Sequence, residues 1–128
     1  MSSKFSQAIE AFNRGEYFDA SELFEHASAE SDEDGKGLIV ALNRIAAGFH
    51  LRFERGGRQA AINLFSQAML TLDQLKPRRD GVDIEALLAE LHAYTEEIRA
   101  TPKNERDGMK HRARIFLERR RAPKIKRT

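Results

Sequence analysis

Lys103, Arg106, Lys110, Arg112, Arg114, Arg119, Arg120, Arg121, Lys124, Lys126 and Arg127 crowd the last 26 residues of this 128-residue chain. Only three acidic residues share that stretch. Cations at this density repel one another, and they gain most when they displace counterions from phosphates. The abundance of arginine suits forked hydrogen bonding to phosphate oxygens. Lys110, Arg112, Arg114, Arg119, Arg120, Arg121, Lys124, Lys126 and Arg127 are therefore the candidate nucleic-acid-binding residues. Phe116 is the only aromatic among them, which does not indicate a stacking platform for single strands. The same segment reads equally as a disordered solubilising tail or as one folded back on an acidic body. An anionic membrane surface fits less well, because the apolar face is short and lacks tryptophan.

Catalytic chemistry has less to work with. There is no cysteine, which removes disulfides, thiolate nucleophiles and thiolate metal sites together. No HExxH pair occurs, no glycine-rich phosphate loop follows a strand, and no serine sits in a strand-to-helix elbow. The adjacent carboxylates Glu96-Glu97 and Asp32-Glu33-Asp34 read as solvated surface. His26, His92 and His111 are isolated.

The elements that would position these groups are helical. Phe5, Ala8, Ile9 and Phe12 share one face of a helix predicted over Lys4 to Asn13, with Ser3 as its cap. Gly15 reverses the chain into a second helix, Glu16 to Ala29, with Tyr17, Ala20, Phe24 and Ala27 inward. Residues 30–36 follow as an acidic, solvated connection, or alternatively as an extension of the second helix that Gly35 ends. Leu38, Leu42, Ile45, Phe49 and Phe53 mark a third helix, Gly37 to Arg55, apolar over enough of its circumference to be central. Gly56-Gly57 ends it, and Arg58 to Leu75 forms a fourth. Asp83 caps a fifth helix that Thr101-Pro102 ends. Met109 to Arg121 is helix-compatible, with Met109, Ala113, Phe116 and Leu117 on one side. Nothing alternates with period two, so no strands are expected.

Gly15-x-Tyr17-x-x-Ala20-x-x-x-Phe24-x-x-Ala27 returns as Gly56-x-Arg58-x-x-Ala61-x-x-x-Phe65-x-x-Ala68. The pattern resembles the second helix of tetratricopeptide repeats, but the offset of 41 residues exceeds the usual 34 or so. Two units suit a closed bundle better than a solenoid.

Charge divides the chain. Residues 1–102 hold 11 Lys/Arg against 17 Asp/Glu, and residues 103–128 hold 11 against 3. No apolar run approaches the roughly 20 residues of a membrane span. The first residues, Met1-Ser-Ser-Lys-Phe-Ser-Gln, lack the apolar stretch of a secretory signal. A soluble, cytoplasmic protein is expected.

Three blocks carry a family resemblance. They are Phe12-Asn-Arg-Gly-Glu-Tyr-Phe-Asp-Ala-Ser-Glu-Leu-Phe-Glu25; Gly37-Leu-Ile through Ala46-Ala-Gly-Phe-His50 to Gly56-Gly57 and Ala61; and Gly81-Val-Asp-Ile-Glu-Ala-Leu-Leu88. Over roughly residues 5–92 the chain resembles domain of unknown function 309, small helical proteins sometimes labelled predicted metal-dependent hydrolases. The resemblance implies a site of two histidines, a glutamate and a glutamine. Here Ser21 stands at the first histidine position, Ser28 at a tryptophan position and Val40 at the glutamine position. Glu22 and His50 alone persist as weak metal candidates, with Ser21, Glu25 or Asn43 as neighbours. One histidine and one carboxylate make a poor divalent-metal site. A hydrogen-bonded Glu22–His50 pair joining two helices explains the same residues.

The reading is an all-α bundle of about five helices: two stacked tetratricopeptide-like hairpins and a capping helix over residues 1–101. A basic extension, partly helical or disordered, covers 102–128. The expected function is a non-enzymatic adaptor whose tail binds nucleic acid, a ribonucleoprotein or another polyanion, with a protein partner on the bundle and no cofactor. The alternative is a metal-dependent hydrolase around Glu22 and His50.

Overall fold

A computed structural model describes residues 3–100 and 109–128, the latter with side chains from Arg112 onward. Six helices follow in order: α1 Ser3–Asn13, α2 Tyr17–Glu30, α3 Glu33–Arg55, α4 Gln59–Asp73, α5 Ile84–Arg99 and α6 Met109–Arg120. The protein is all-α, and α1 to α5 pack each against the next. No helix among the described residues is long and apolar enough to cross a membrane.

The α1–α2 reversal forms as its sequence demands. Gly15 adopts φ +82°, and the amide of Glu16 returns to the Ala11 carbonyl at 2.9 Å, which satisfies a carbonyl at the end of α1. Ala8, Ala11, Ala20 and Ala27 are fully buried, so the two helices approach closely. Ser3 is the first residue of α1 and not its cap.

The third helix begins four residues earlier than the periodicity predicts. Asp32 caps it, accepting from the Gly35 amide at 3.0 Å, and Glu33 and Asp34 occupy its first turn. Carboxylates there complement the exposed amides and the helix dipole, so residues 33–36 of the acidic connection belong to α3 and only Ser31 and Asp32 stand between the helices. Along α3, Leu38, Ile39, Leu42, Ile45 and Phe49 are buried. Phe49 is the hub of the core, with ring centroids of Phe12, Tyr17, Phe53, Phe65 and Tyr94 all within 5.7 Å. Gly48 lets Phe65 reach it, since a Cβ there would stand 2.5 Å from that ring.

The expectation of no strands needs correction. β1, Arg78–Arg79, pairs antiparallel with β2, Val82–Asp83, across Asp80-Gly81, both at positive φ. An Asp-Gly pair suits a hairpin turn of this kind. Two-residue strands are too short to alternate visibly. Asp83 then caps α5 as predicted, accepting from the Ala86 amide at 3.0 Å.

The last residues fold back on the bundle. Ala122 and Ile125 lie in the same core cluster as Phe5 and Phe12. Asn13 clamps Ile125 from both sides: its Nδ2 donates to the Ile125 carbonyl at 2.9 Å, and its Oδ1 accepts from the Ile125 amide at 2.8 Å. The Asp83 amide donates to the Lys126 carbonyl, and the Thr128 amide to the Gly81 carbonyl. Arg127 thus bridges to Val82 beside the hairpin. Predicted features at Thr101-Pro102, Lys103 and Arg106 fall outside the described residues.

Candidate nucleic-acid interface

A single acidic residue turns α6. Glu118 is 1% exposed and meets Arg52 of α3, itself 2% exposed, through two parallel hydrogen bonds of 2.8 Å. Tyr94 of α5 donates its hydroxyl to the same carboxylate at 2.9 Å. Burial opposes the charge on Arg52, yet the bonds and charge of Glu118 outweigh it and hold the guanidinium above its ordinary value. Burial also raises the Tyr94 hydroxyl well above the usual range, assisted by Glu118 and opposed by Arg52. A charge pair this deep is tolerable only because its fork geometry and third partner satisfy it.

The helical period does the rest. Residues two apart on a helix point about 200° from each other, so with Glu118 inward, Phe116 and Arg120 face outward. Arg112 continues that stripe one turn earlier. Phe116 is 60% exposed and Leu117 is 52% exposed. Of the residues read from the sequence as one apolar side of this helix, Ala113, Phe116 and Leu117 are all exposed, so that side is not the packed one. The inward side carries the buried ion pair at Glu118 together with Ile115, which packs against the core.

Between α6 and the end of α3 lies a cleft of about 360 Å³, lined by Phe53, Glu54, Arg55, Gly56, Arg112, Ile115, Phe116 and Arg119. Three guanidinium groups and one exposed ring meet there. Arg119 is held: it donates to the Gly15 carbonyl at 3.0 Å, pairs with Glu54 at 3.4 Å and lies over the Tyr17 and Phe53 rings. Arg120 sits 5.8 Å from the centre of Phe116. Tyr17, next to Arg119, is pushed up to about 12 by burial, partly offset by that arginine.

The other predicted basic residues are divided by the fold. Arg121 pairs with Glu97, Lys126 with Glu90 at 3.5 Å, and Lys124 donates to the Asn13 carbonyl at 2.7 Å. Arg127 lies over Phe5. Arg114 is half-buried. The side chain of Lys110 lies outside the described residues. Arg112 and Arg120 are left on the outer stripe. Arg55 joins them from α3, and sequence reasoning missed it because it belongs to the acidic body. Its one signal was a basic last turn immediately before Gly56-Gly57.

The second predicted site does not assemble. Glu22 is exposed on α2, and His50 is half-buried on α3, against the ring of Phe18 at 5.5 Å. No hydrogen bond joins them among the described residues, so the expected pair is absent there. Ser21 donates instead to Asn43 Oδ1. No group of three or more His, Asp or Glu among the described residues stands close enough to hold a metal ion. Among the described residues, the side chains around Glu22 and His50 do not fit a metal site.

Residues 5–64 match the model of a family described as a domain of unknown function, DUF309. This part of the chain belongs to that family. The DUF309 span runs from α1 into α4, and it contains Ser21, Glu22, His50, Arg52 and Arg55. It stops before the hairpin, α5 and α6, so most of the cleft's cationic wall lies beyond it. Neither curated proteins nor solved structures yield a match.

Proposed function

We propose that this protein is a non-enzymatic helical binding module that contacts nucleic acid, free or within a ribonucleoprotein, through the outer stripe of α6. The adaptor expected from the sequence is thereby narrowed to its nucleic-acid half. The observation that carries the reading is the cleft where Arg55 and Arg112, both exposed, border Phe116, with Arg119 already paired to Glu54. Arginines converging from two helices on one concavity are suited to phosphate oxygens, and they keep their charge at every physiological pH. The proposal includes a cytoplasmic location, in keeping with the lack of cysteine. A hydrolytic site draws no support from Glu22 and His50, which no hydrogen bond joins among the described residues.

Deleting the basic segment is a poor test, because it removes Glu118, Ala122 and Ile125 from the interior. Charge reversal is cleaner. Arg112→Glu with Arg120→Glu changes only exposed groups. The native protein should bind labelled RNA or DNA with an affinity that falls steeply with salt. The double variant should melt like the native chain, bind weakly and show a salt slope reduced by about one unit per lost phosphate contact. Equal binding by both proteins at low salt ends the proposal.

A further inference from the structure

We infer that the α3–α6 cleft receives one unpaired nucleotide, so that the ligand is single-stranded. The inference rests on the nucleic-acid reading above. Its volume of about 360 Å³ lies near the small end of ligand pockets, which span roughly 300–1,000 Å³. That is room for a single base with its phosphate. An undistorted duplex offers its bases only as edges within grooves, and a side-chain ring meets a base face there only at the cost of unstacking a step. An unpaired base presents its whole π face.

Phe116 is the group that makes this choice. A phenylalanine 60% exposed on a cationic helix gains nothing from the core, which lies on the opposite side of α6. Its neighbours in the cleft are Arg55 and Arg112, both exposed. Arg120, 5.8 Å from the ring centre, adds a planar cation to the same stack. Base against ring and phosphate against the two cleft arginines is the arrangement that uses all four. Glu54 does not oppose it, since Arg119 already neutralises that carboxylate. The sequence alone gave no reason to expect this, because one aromatic in a basic tail is no platform. Arg55, from a different helix, turns that ring into part of a site.

Fluorescence anisotropy with one oligonucleotide, as RNA and as DNA, single-stranded and annealed to its complement, tests the inference. The native protein should prefer the single strand by at least about fivefold, the lower bound of what one stacked base provides. Phe116→Ala should lose about 5- to 150-fold for the single strand, keep the salt slope and leave duplex binding unchanged. Arg55→Glu should reduce the slope for the single strand. Equal affinity for both forms, or a Phe116→Ala protein that binds as tightly as the native one, overturns the single-nucleotide inference and leaves the nucleic-acid reading standing. No binding to any of the four probes removes both.

Discussion

Two regions of this molecule hold charged side chains that the sequence marks out, and the fold treats them in opposite ways. Around α2 and the later part of α3, Glu22, His50 and Ser21 are the residues that the family resemblance singles out, yet no bond joins them to one another among the described residues. Glu22 faces solvent, His50 leans on Phe18, and Ser21 bonds to Asn43. Around α6, charges distant in sequence converge. Arg52, Tyr94 and Glu118 close a buried network on the inner side, while Arg55, Arg112 and Phe116 open a cleft on the outer side. Sharing a motif did not bring groups together, whereas burying one charge did. The bidentate pair fixes the rotation of α6, and that rotation selects which cations remain available.

The comparison breaks most readily at Glu118. Glu118→Ala should destabilise the protein by about 3–5 kcal/mol, because Arg52 is left buried without its counter-charge. Urea unfolding at neutral pH measures this. A cost below about 1 kcal/mol, the range of surface pairs, would mean that the pair does not organise α6.

High pH probes the same interior. Tyr17 and Tyr94 are the only tyrosines, and both stay neutral in the folded chain well above the ordinary value of 10.0. A raised folded value means that this stability is complete below about pH 10 and is lost as pH climbs. For Tyr17 the window closes near 12. Each tyrosine should contribute a loss of about 1.4 kcal/mol per pH unit within its window. Absorbance of tyrosinate should rise together with unfolding. Tyrosinate appearing near pH 10 in a fully folded protein contradicts the burial of both hydroxyls.

Asn13 sharpens the comparison from the far end of the segment. Asn13→Ala removes both bonds to Ile125 and should cost about 1–3 kcal/mol. Amide exchange should then quicken at Ile125 and Thr128, with α1 to α4 protected as before. The smallest effects belong to the family positions. Glu22→Ala, at an exposed site without a bond to His50, should stay within about 0.5 kcal/mol of the native protein. A large loss there would show that the scattered region matters more than its geometry allows.

Much of the fold was legible because its signals are local. Gly15, Gly56 and Asp83 punctuate the chain where sterics and capping require, and the 3.6-residue period placed α1 to α5 within a few residues. The acidic run at residues 30–36 misled because a carboxylate-rich segment serves a helix start as well as a solvated loop. The cleft was only half legible. Arg112 and Arg120 were visible in a basic run, but their availability depends on Glu118, whose burial no periodicity reveals. An arginine on a central helix and a lone glutamate in a cationic one, 66 residues apart, are a pair only in three dimensions. The hairpin was hidden for the converse reason, since two residues carry no period.

The central claim is that one face of α6 builds the core while the other meets single-stranded nucleic acid. An amide correlation spectrum of the native protein, recorded as a single-stranded oligonucleotide is added, tests it most directly. Shifts should gather at Arg55, Gly56, Arg112, Phe116 and Arg120, with Glu118, Ile125, Glu22 and Ser21 unmoved. Shifts centred on Glu22 and His50, or on the separate cleft between α4 and α5 near Leu70 and Leu88, would contradict the account, as would a spectrum that does not change.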